Sequence, residues 1–408
     1  MRPGMWRVRR GRAVGIVCGL VLALCLPATA SAETAAGKSS RHQVVTWGAS
    51  ADRLGQAVAD RSYRLVVRTS VGGAHPRIRL SNAFGDRPVT FGSAYAGARA
   101  EGARLVPGSN RRITFGGGRS VTVAPGESVT SDPLSGRLVA QSDLVVSLYV
   151  AEAAGQATGH GMAMQTSYAA SGDHAGEEGA GSWGQRIGSW FYLDAVSVES
   201  GADTGAVVAL GDSITDGWQS TGDTNRRWPD YLSRRLQSAS GTGIKGVANE
   251  GISGNKVLAD GAGQSALARL ERDVLSQPGV RTVFLFEGIN DIKAHTGVTA
   301  GQLIAGYRQI IERSHAAGKC VVGGTVLPFK GWSEFDAAGE AVRQEVNDFI
   351  RNSADLDAVT DFDKALRSPY DQERLLPVFD GGDHLHPNDK GMRAMADAVD
   401  LAELGCER

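Results

Sequence analysis

Two short stretches, far apart in the chain, hold the residue types that catalysis needs. Near the C-terminus, FDGGDHLHPND (Phe379–Asp389) sets Asp380, Asp383 and Asp389 beside His384 and His386, among glycines and a proline. Upstream, ALGDSITDG (Ala209–Gly217) presents Ser213 between Asp212 and Ile214. Two chemistries compete for the first stretch. Histidines and carboxylates hold a metal when they converge at fixed distances, and Asp380, Asp383, His384 and His386 are of the right types. The same types also activate a hydroxyl. An uncharged serine is a poor nucleophile; it needs a base, and the base needs a carboxylate to orient it. Taken singly, each residue also has a plain explanation: a serine after Gly-Asp caps a turn, and Asp-x-x-His in a Gly/Pro loop is a solvated bend. No second cluster of ligands accompanies the metal reading, so neither a metal nor a cofactor is expected.

The elements that must position these residues fall into two textures. From Ala206 onward, apolar strands alternate with amphipathic helices. The expected strands are AVVALGD (Ala206–Asp212), KGVANEG (Lys245–Gly251), TVFLFEG (Thr282–Gly288), CVVGGTVLP from Cys320, and AVTDF (Ala358–Phe362). The expected helices cover Trp228–Ser238, Ser265–Gly279, Thr299–Gly318, Ala338–Ser353 and Asp389–Leu404. Such alternation predicts a parallel sheet covered on both faces. Working residues then collect beyond the carboxyl ends of the strands. Ser213, Gly254, Asn290, Asp383 and His386 all lie in loops that can converge there. Gln43 to about Glu199 reads differently, as short Val-, Thr- and Tyr-rich runs cut by Gly, Pro, Asp and Ser: Tyr63–Val71, Arg77–Phe84, Val89–Ala98, Ser120–Gly126 and Asp143–Glu152. These predict an antiparallel β-sandwich of jelly-roll type. Only Ala51–Arg61 offers a helical pattern in this half.

Four blocks in order resemble the GDSL or SGNH hydrolase family: GDSITDG (Gly211–Gly217), the glycine of NEGISGN (Asn249–Asn255), GIND (Gly288–Asp291) and DHLHP (Asp383–Pro387). The resemblance covers Ala206 to about Leu404, and it implies a three-layer, flavodoxin-like α/β fold. It also implies roles. Ser213 is the nucleophile, His386 the base and then the acid, and Asp383 the carboxylate that orients it. The backbone N–H groups of Ser213 and Gly254 and the side-chain amide of Asn290 form the oxyanion hole. His384, next to Asp383 in sequence, is expected to point elsewhere. Asp212, Thr215, Asp216 and Asp291 are expected to fix turns. The G-x-S-x-G elbow of other esterases is absent, which suits a flatter turn and small or flexible substrates.

The 408 residues exceed one ordinary core and predict two domains: a β-sandwich over 43–200 and a hydrolase domain over 201–408, after a flexible segment at 33–42. The first 32 residues carry a signal peptide: Arg2, Arg7, Arg9, Arg10 and Arg12, then about 14 apolar residues over Ala13–Leu26, then Ala30-Ser31-Ala32. That apolar run is short of the roughly 20 residues a membrane-spanning helix requires. Arg9-Arg10 matches the arginine pair of a twin-arginine signal, but the flanking residues depart from it. The formal net charge of −1 points to no nucleic-acid partner, and no other stretch could span a bilayer, so a secreted chain without stable membrane insertion is expected, read as a monomer. Cys320 and Cys406 allow one disulfide in the exported chain, while the apolar run after Cys320 fits a buried free thiol equally well.

The loops Gln219–Arg227, Asn255–Ser265 and Lys330–Glu340 are mostly polar, with Trp218, Trp228, Trp332 and Phe335 nearby. Polar loops with a few aromatics suit sugar rings and small esters better than long acyl chains. The expectation is a secreted serine ester hydrolase that removes acetyl or other short acyl groups from carbohydrates or small esters, an acylated polysaccharide among them. Two alternatives stand beside it: a lipase or lysophospholipase, and a wall- or carbohydrate-binding protein with a dormant hydrolase fold.

Overall fold

A computed structural model describes residues 41–406. The segment read as a signal peptide, and the expected cleavage after Ala32, lie outside the described residues. Strands Gly205–Gly211, Ile244–Gly251, Val280–Phe286, Cys320–Gly324 and Ala358–Thr360 form one parallel sheet. The strand starting at Gly205 lies between those starting at Ile244 and Val280, so the spatial order is 2-1-3-4-5, the flavodoxin-like order. The strands are nearly continuous apolar runs because both faces are covered. Val208, Leu210, Val283 and Leu285 face one core with Leu303, Tyr307, Ile310, Val346 and Ile350. Val207, Ala209, Phe284 and Phe286 face the other, with Trp228, Leu232, Leu236, Met392 and Met395. The expected three layers are therefore present.

The helices start and stop where local chemistry directs. Trp228–Ser238 opens with Pro229 in its first turn. Thr299 and Gln302 form a capping box at the start of Ala300–Ala316. The element expected over 265–279 begins as a short α-turn at Ala266–Arg269 and widens into a π-helical turn over Leu270–Leu275. The last helix ends at Ala398, shorter than expected.

The preceding half is all-β. One antiparallel sheet contains Arg41–Gly48, Leu193–Gly201 and Gly73–Ser81; a second contains Ser167–Ser171, Arg61–Arg68, Asp143–Glu152 and Val89–Glu101. They face each other across a core of Trp47, Leu65, Ile78, Leu80, Phe91, Val146, Leu148, Trp190 and Val196. The helical pattern at Ala51–Arg61 is not realised. Asp52–Gln56 is a strand that pairs with Gln156–His160, so a tertiary partner overrides a weak local preference. The sandwich also shares a core with the parallel sheet: Val44, Val45, Val71 and Val198 pack with Ala206, Val208 and Ala248. Among the described residues no helix is long and apolar enough to cross a membrane. Cys320 and Cys406 are joined, with Cα atoms 5.9 Å apart, so the free-thiol alternative is not the one adopted.

Candidate active site

Ser213 opens a four-residue helical turn directly beyond the strand Gly205–Gly211. Asp212 caps that turn by accepting the Ile214 N–H at 2.9 Å. The turn sits tightly against the neighbouring strand's end: a Cβ on Gly251 would lie 2.3 Å from the Asp216 nitrogen, so only glycine lets the two loops close.

Ser213 Oγ lies 2.8 Å from His386 Nε2, and His386 Nδ1 lies 2.7 Å from Asp383 Oδ2. The three-residue spacing of Asp383 and His386 has a local reason. Asp383 Oδ1 accepts the backbone N–H of Leu385 at 3.1 Å and of His386 at 2.9 Å, while Oδ2 turns to the imidazole. One carboxylate therefore shapes its own loop and orients the ring. Burial raises the Asp383 pKa, but the hydrogen bonds from the His386 backbone and ring outweigh it and hold the carboxyl below its usual range. Burial lowers the His386 pKa, with Lys293 adding to it and Asp383 opposing. The ring is thus neutral at pH 7 and able to accept a proton.

The opening stretch divides into two His–Asp pairs. His384 points away from Ser213 and pairs with Asp380, Nδ1 to Oδ2 2.6 Å, half exposed. The four side chains do not form a convergent ligand set: among the described residues the grouping within metal-ligand reach is Cys320, Asp357 and Cys406, two of which are bonded to each other.

Ser213, Gly254, Asn290 and His386 line one cavity of about 190 Å³. Gly254 has φ +83°, a left-handed conformation natural to glycine. Asn290 Nδ2 donates to Asn255 O at 2.8 Å, which fixes the amide and leaves its second hydrogen for another acceptor. Asp291 was expected to brace its own block; it reaches instead to the loop after Gly254, accepting the N–H groups of Val257 (2.8 Å) and Leu258 (3.1 Å). Thr215 Oγ1 accepts from Trp228 Nε1 at 3.3 Å. Trp228 is itself fully buried and no part of the cavity wall, and Phe335 packs on Phe329 with ring centroids 5.0 Å apart. The aromatic walls are Trp218 and Trp332, whose rings stand edge-on to His386 at 6.5 and 5.8 Å.

Several participants were not foreseen. Lys293 lines the cavity and lies 5.1 Å from the Trp332 ring centroid. Its position one helical turn after Asn290 was a readable signal. Gln219 donates to Asp383 Oδ2 at 3.3 Å. Beneath the site, burial pushes Asp212 up to about 7, against the Ile214 N–H and Lys293. Burial first, and then Asp212, push the neighbouring Glu287 well above the ordinary carboxyl range. Neither Glu287 oxygen has a hydrogen-bond partner among the described residues.

Residues 209–394 match the GDSL-like Lipase/Acylhydrolase family. Solved structures align with about half of the chain. An acetylxylan esterase from Geobacillus stearothermophilus is 24% identical over 49% of this chain and 94% of its own, with a TM-score of 0.38. A carbohydrate acetylesterase from Sinorhizobium meliloti is 17% identical over 48% and 96%, with a TM-score of 0.39. A GDSL-like lipase from Bacteroides thetaiotaomicron is 21% identical over 48% and 87%, with a TM-score of 0.38. No curated protein matches the chain. The match falls within the parallel-sheet half, which follows an all-β half.

Proposed function

We propose that the protein is a serine ester hydrolase that removes acetyl or other short acyl groups from carbohydrates or small esters. The observation that carries this reading is the unbroken chain Ser213–His386–Asp383 opening on a cavity shared with Gly254 and Asn290. Ser213 Oγ attacks the ester carbonyl as its proton passes to His386 Nε2. The negative charge on the carbonyl oxygen is met by the N–H groups of Ser213 and Gly254 and the free amide hydrogen of Asn290. The C–O bond to the alcohol breaks, and the alkoxide takes the proton from His386. Water, deprotonated by the same ring, then attacks the acyl-serine, and its collapse restores Ser213 and releases the carboxylic acid.

The cavity's size supports a short acyl group. About 190 Å³ holds roughly six waters and lies below the roughly 300 Å³ at which pockets for drug-sized ligands begin. Trp218, which lines the cavity, is 45% exposed, an apolar surface beside polar loops that suits a sugar ring. On the same reading the chain is exported through its N-terminal segment, and a secreted form beginning at Glu33 is the expected product.

Hydrolysis of p-nitrophenyl acetate against p-nitrophenyl palmitate, with wild type, Ser213→Ala and added EDTA, tests the proposal. Acetate preference, loss of activity in Ser213→Ala and indifference to EDTA are expected. Palmitate preference transfers the reading to a lipase. Unchanged activity in Ser213→Ala ends it.

A further inference from the structure

The acyl-transfer scheme leaves one buried histidine unused. His160 ends the strand Gln156–His160 of the β-half and is 5% exposed. Both ring nitrogens face acceptors. Nδ1 lies 2.9 Å from Ser50 O, and Nε2 lies 3.0 Å from Met162 O and 3.0 Å from Asp216 Oδ1. A neutral imidazole has a single N–H and would leave one nitrogen lone pair pointing at an oxygen lone pair. The contacts are satisfied together only when both nitrogens carry protons. The counter-charge is Asp216, equally buried.

Asp216 is the last residue of the turn that Ser213 opens. Its second oxygen, Oδ2, accepts the N–H of Ser253 at 3.1 Å, the residue before Gly254. One carboxylate therefore grips both the nucleophile's turn and the oxyanion loop, and its charge is balanced from the other half of the molecule. A second tie runs parallel to the first. Ser50, whose carbonyl receives Nδ1–H, places its Oγ 2.8 Å from Glu250 Oε2 and 2.7 Å from Arg269 Nη1. Arg269 in turn donates to Gly211 O at 3.0 Å and Asn255 Oδ1 at 3.0 Å, and Asn255 O holds the Asn290 amide. Every donor assigned to the oxyanion hole is thus reached from Ser50 or His160 through one to three hydrogen bonds and the backbone between them.

We propose that His160, as an imidazolium supplied by the β-sandwich, is a positioning residue for acyl transfer: it fixes Asp216 so that the Ser213 turn and the Ser253–Gly254 backbone hold the oxyanion donors in register, making the sandwich part of the catalytic unit. This rests on the acyl-serine reading of Ser213. Burial works against the cation, and Asp216 outweighs it, holding the ring protonated up to about 9. The bridge therefore stays charged from the pH at which His386 becomes neutral up to about pH 9.

The test compares wild type, His160→Gln and Asp216→Asn on p-nitrophenyl acetate, with kcat expressed per active site counted by the p-nitrophenol burst. An alkylboronic acid, which forms a tetrahedral adduct on serine, reports on the oxyanion hole. Misplacing the donors by a fraction of an ångström to an ångström predicts a kcat loss of about 10- to 100-fold per titrated site. KM should stay within about threefold and the boronate Ki rise in step with the kcat loss, since the interaction is made with the transition state. A bridge that served stability alone would lower the melting temperature and the titrated fraction while leaving kcat per site and the boronate Ki unchanged; that result overturns the proposal. Failure of both variants to yield folded protein assigns the bridge to folding and overturns it equally. Ser213→Ala separates the two levels. If it remains active, the acyl-serine reading has failed; if it is inactive while His160→Gln is normal per site, only the role of His160 has failed.

Discussion

Replacing Asp383 by Asn tests the site with almost no change of shape. Asp383 Oδ1 accepts two backbone N–H groups, from Leu385 and His386, and Oδ2 receives the His386 ring at 2.7 Å. In Asp383→Asn the two backbone donors require an acceptor, so the amide oxygen takes the Oδ1 position and the NH₂ group faces Nδ1. A donor now meets the ring where an acceptor stood. Nδ1 must give up its proton, and the proton moves to Nε2, which then donates to Ser213 Oγ and cannot take a proton from it. The wrong tautomer should cost about 10³- to 10⁴-fold in kcat, or roughly 4–5.5 kcal/mol of barrier, with the loop geometry preserved. The assay is kcat on p-nitrophenyl acetate with melting temperature alongside. His384→Asn is the control: His384 pairs with Asp380 outside the cavity and sits at φ +66°, where Asn is tolerated. Its activity should stay within about twofold, as for a surface change. If Asp383→Asn keeps more than about a tenth of wild-type kcat, or His384→Asn loses as much, the role given to the Asp383–His386 pair is wrong.

The acid limb of kcat/KM for wild type should titrate below the ordinary histidine value of about 6.5, because burial and Lys293 lower His386 more than Asp383 raises it; a limb above 7 would contradict this. Stability should fall as pH rises from 6 to 9. Asp212 (about 7) and Glu250 (about 8) are raised above their unfolded values mainly by burial, so the folded chain holds protons that the unfolded chain has released. His160, raised to about 9 by Asp216 against burial, stabilises fully below its unfolded value and loses that contribution as pH rises through 9. Each such proton contributes a slope of up to roughly 1.4 kcal/mol per pH unit, and His386, whose folded value is lowered, opposes only below 6.5; a melting temperature that rises between pH 6 and 9 would refute the assignment. Reducing the Cys320–Cys406 bond, which closes a loop between residues 86 apart, should destabilise the fold by up to about 4–5 kcal/mol through the denatured chain. Activity below the new melting point should be retained, since Cys320 begins its strand at the end away from Ser213.

Much of the candidate site was legible because its parts are local. Asp383 and His386 sit three residues apart in one loop, and that spacing alone lets one carboxylate bind both the backbone and the ring. Ser213, Gly254 and Asn290 each follow a strand whose apolar run announces a buried parallel sheet, and helices such as Trp228–Ser238 and Ala300–Ala316 carry their caps and apolar stripes in the sequence. Where the signal was weak, local reading faltered. Asp52–Gln56 looked faintly helical and became a strand because Gln156–His160 lay beside it. Trp228, at the start of its helix, reads as an aromatic near the site and is core.

The order of strands and helices, the residue types that can perform acyl transfer and the local turns that present them are therefore properties of the sequence, since each depends on side chains within a few positions of one another. The contacts that hold those turns together depend on approach in space. His160 meets Asp216 across 56 residues of chain, and Ser50 meets Glu250 across 200. Neither pair has a periodicity or spacing to mark it. A buried charge is tolerated only where folding brings its counter-charge within hydrogen-bond reach, so the cation proposed at His160 depends on packing, whereas the base proposed at His386 was legible in its own loop.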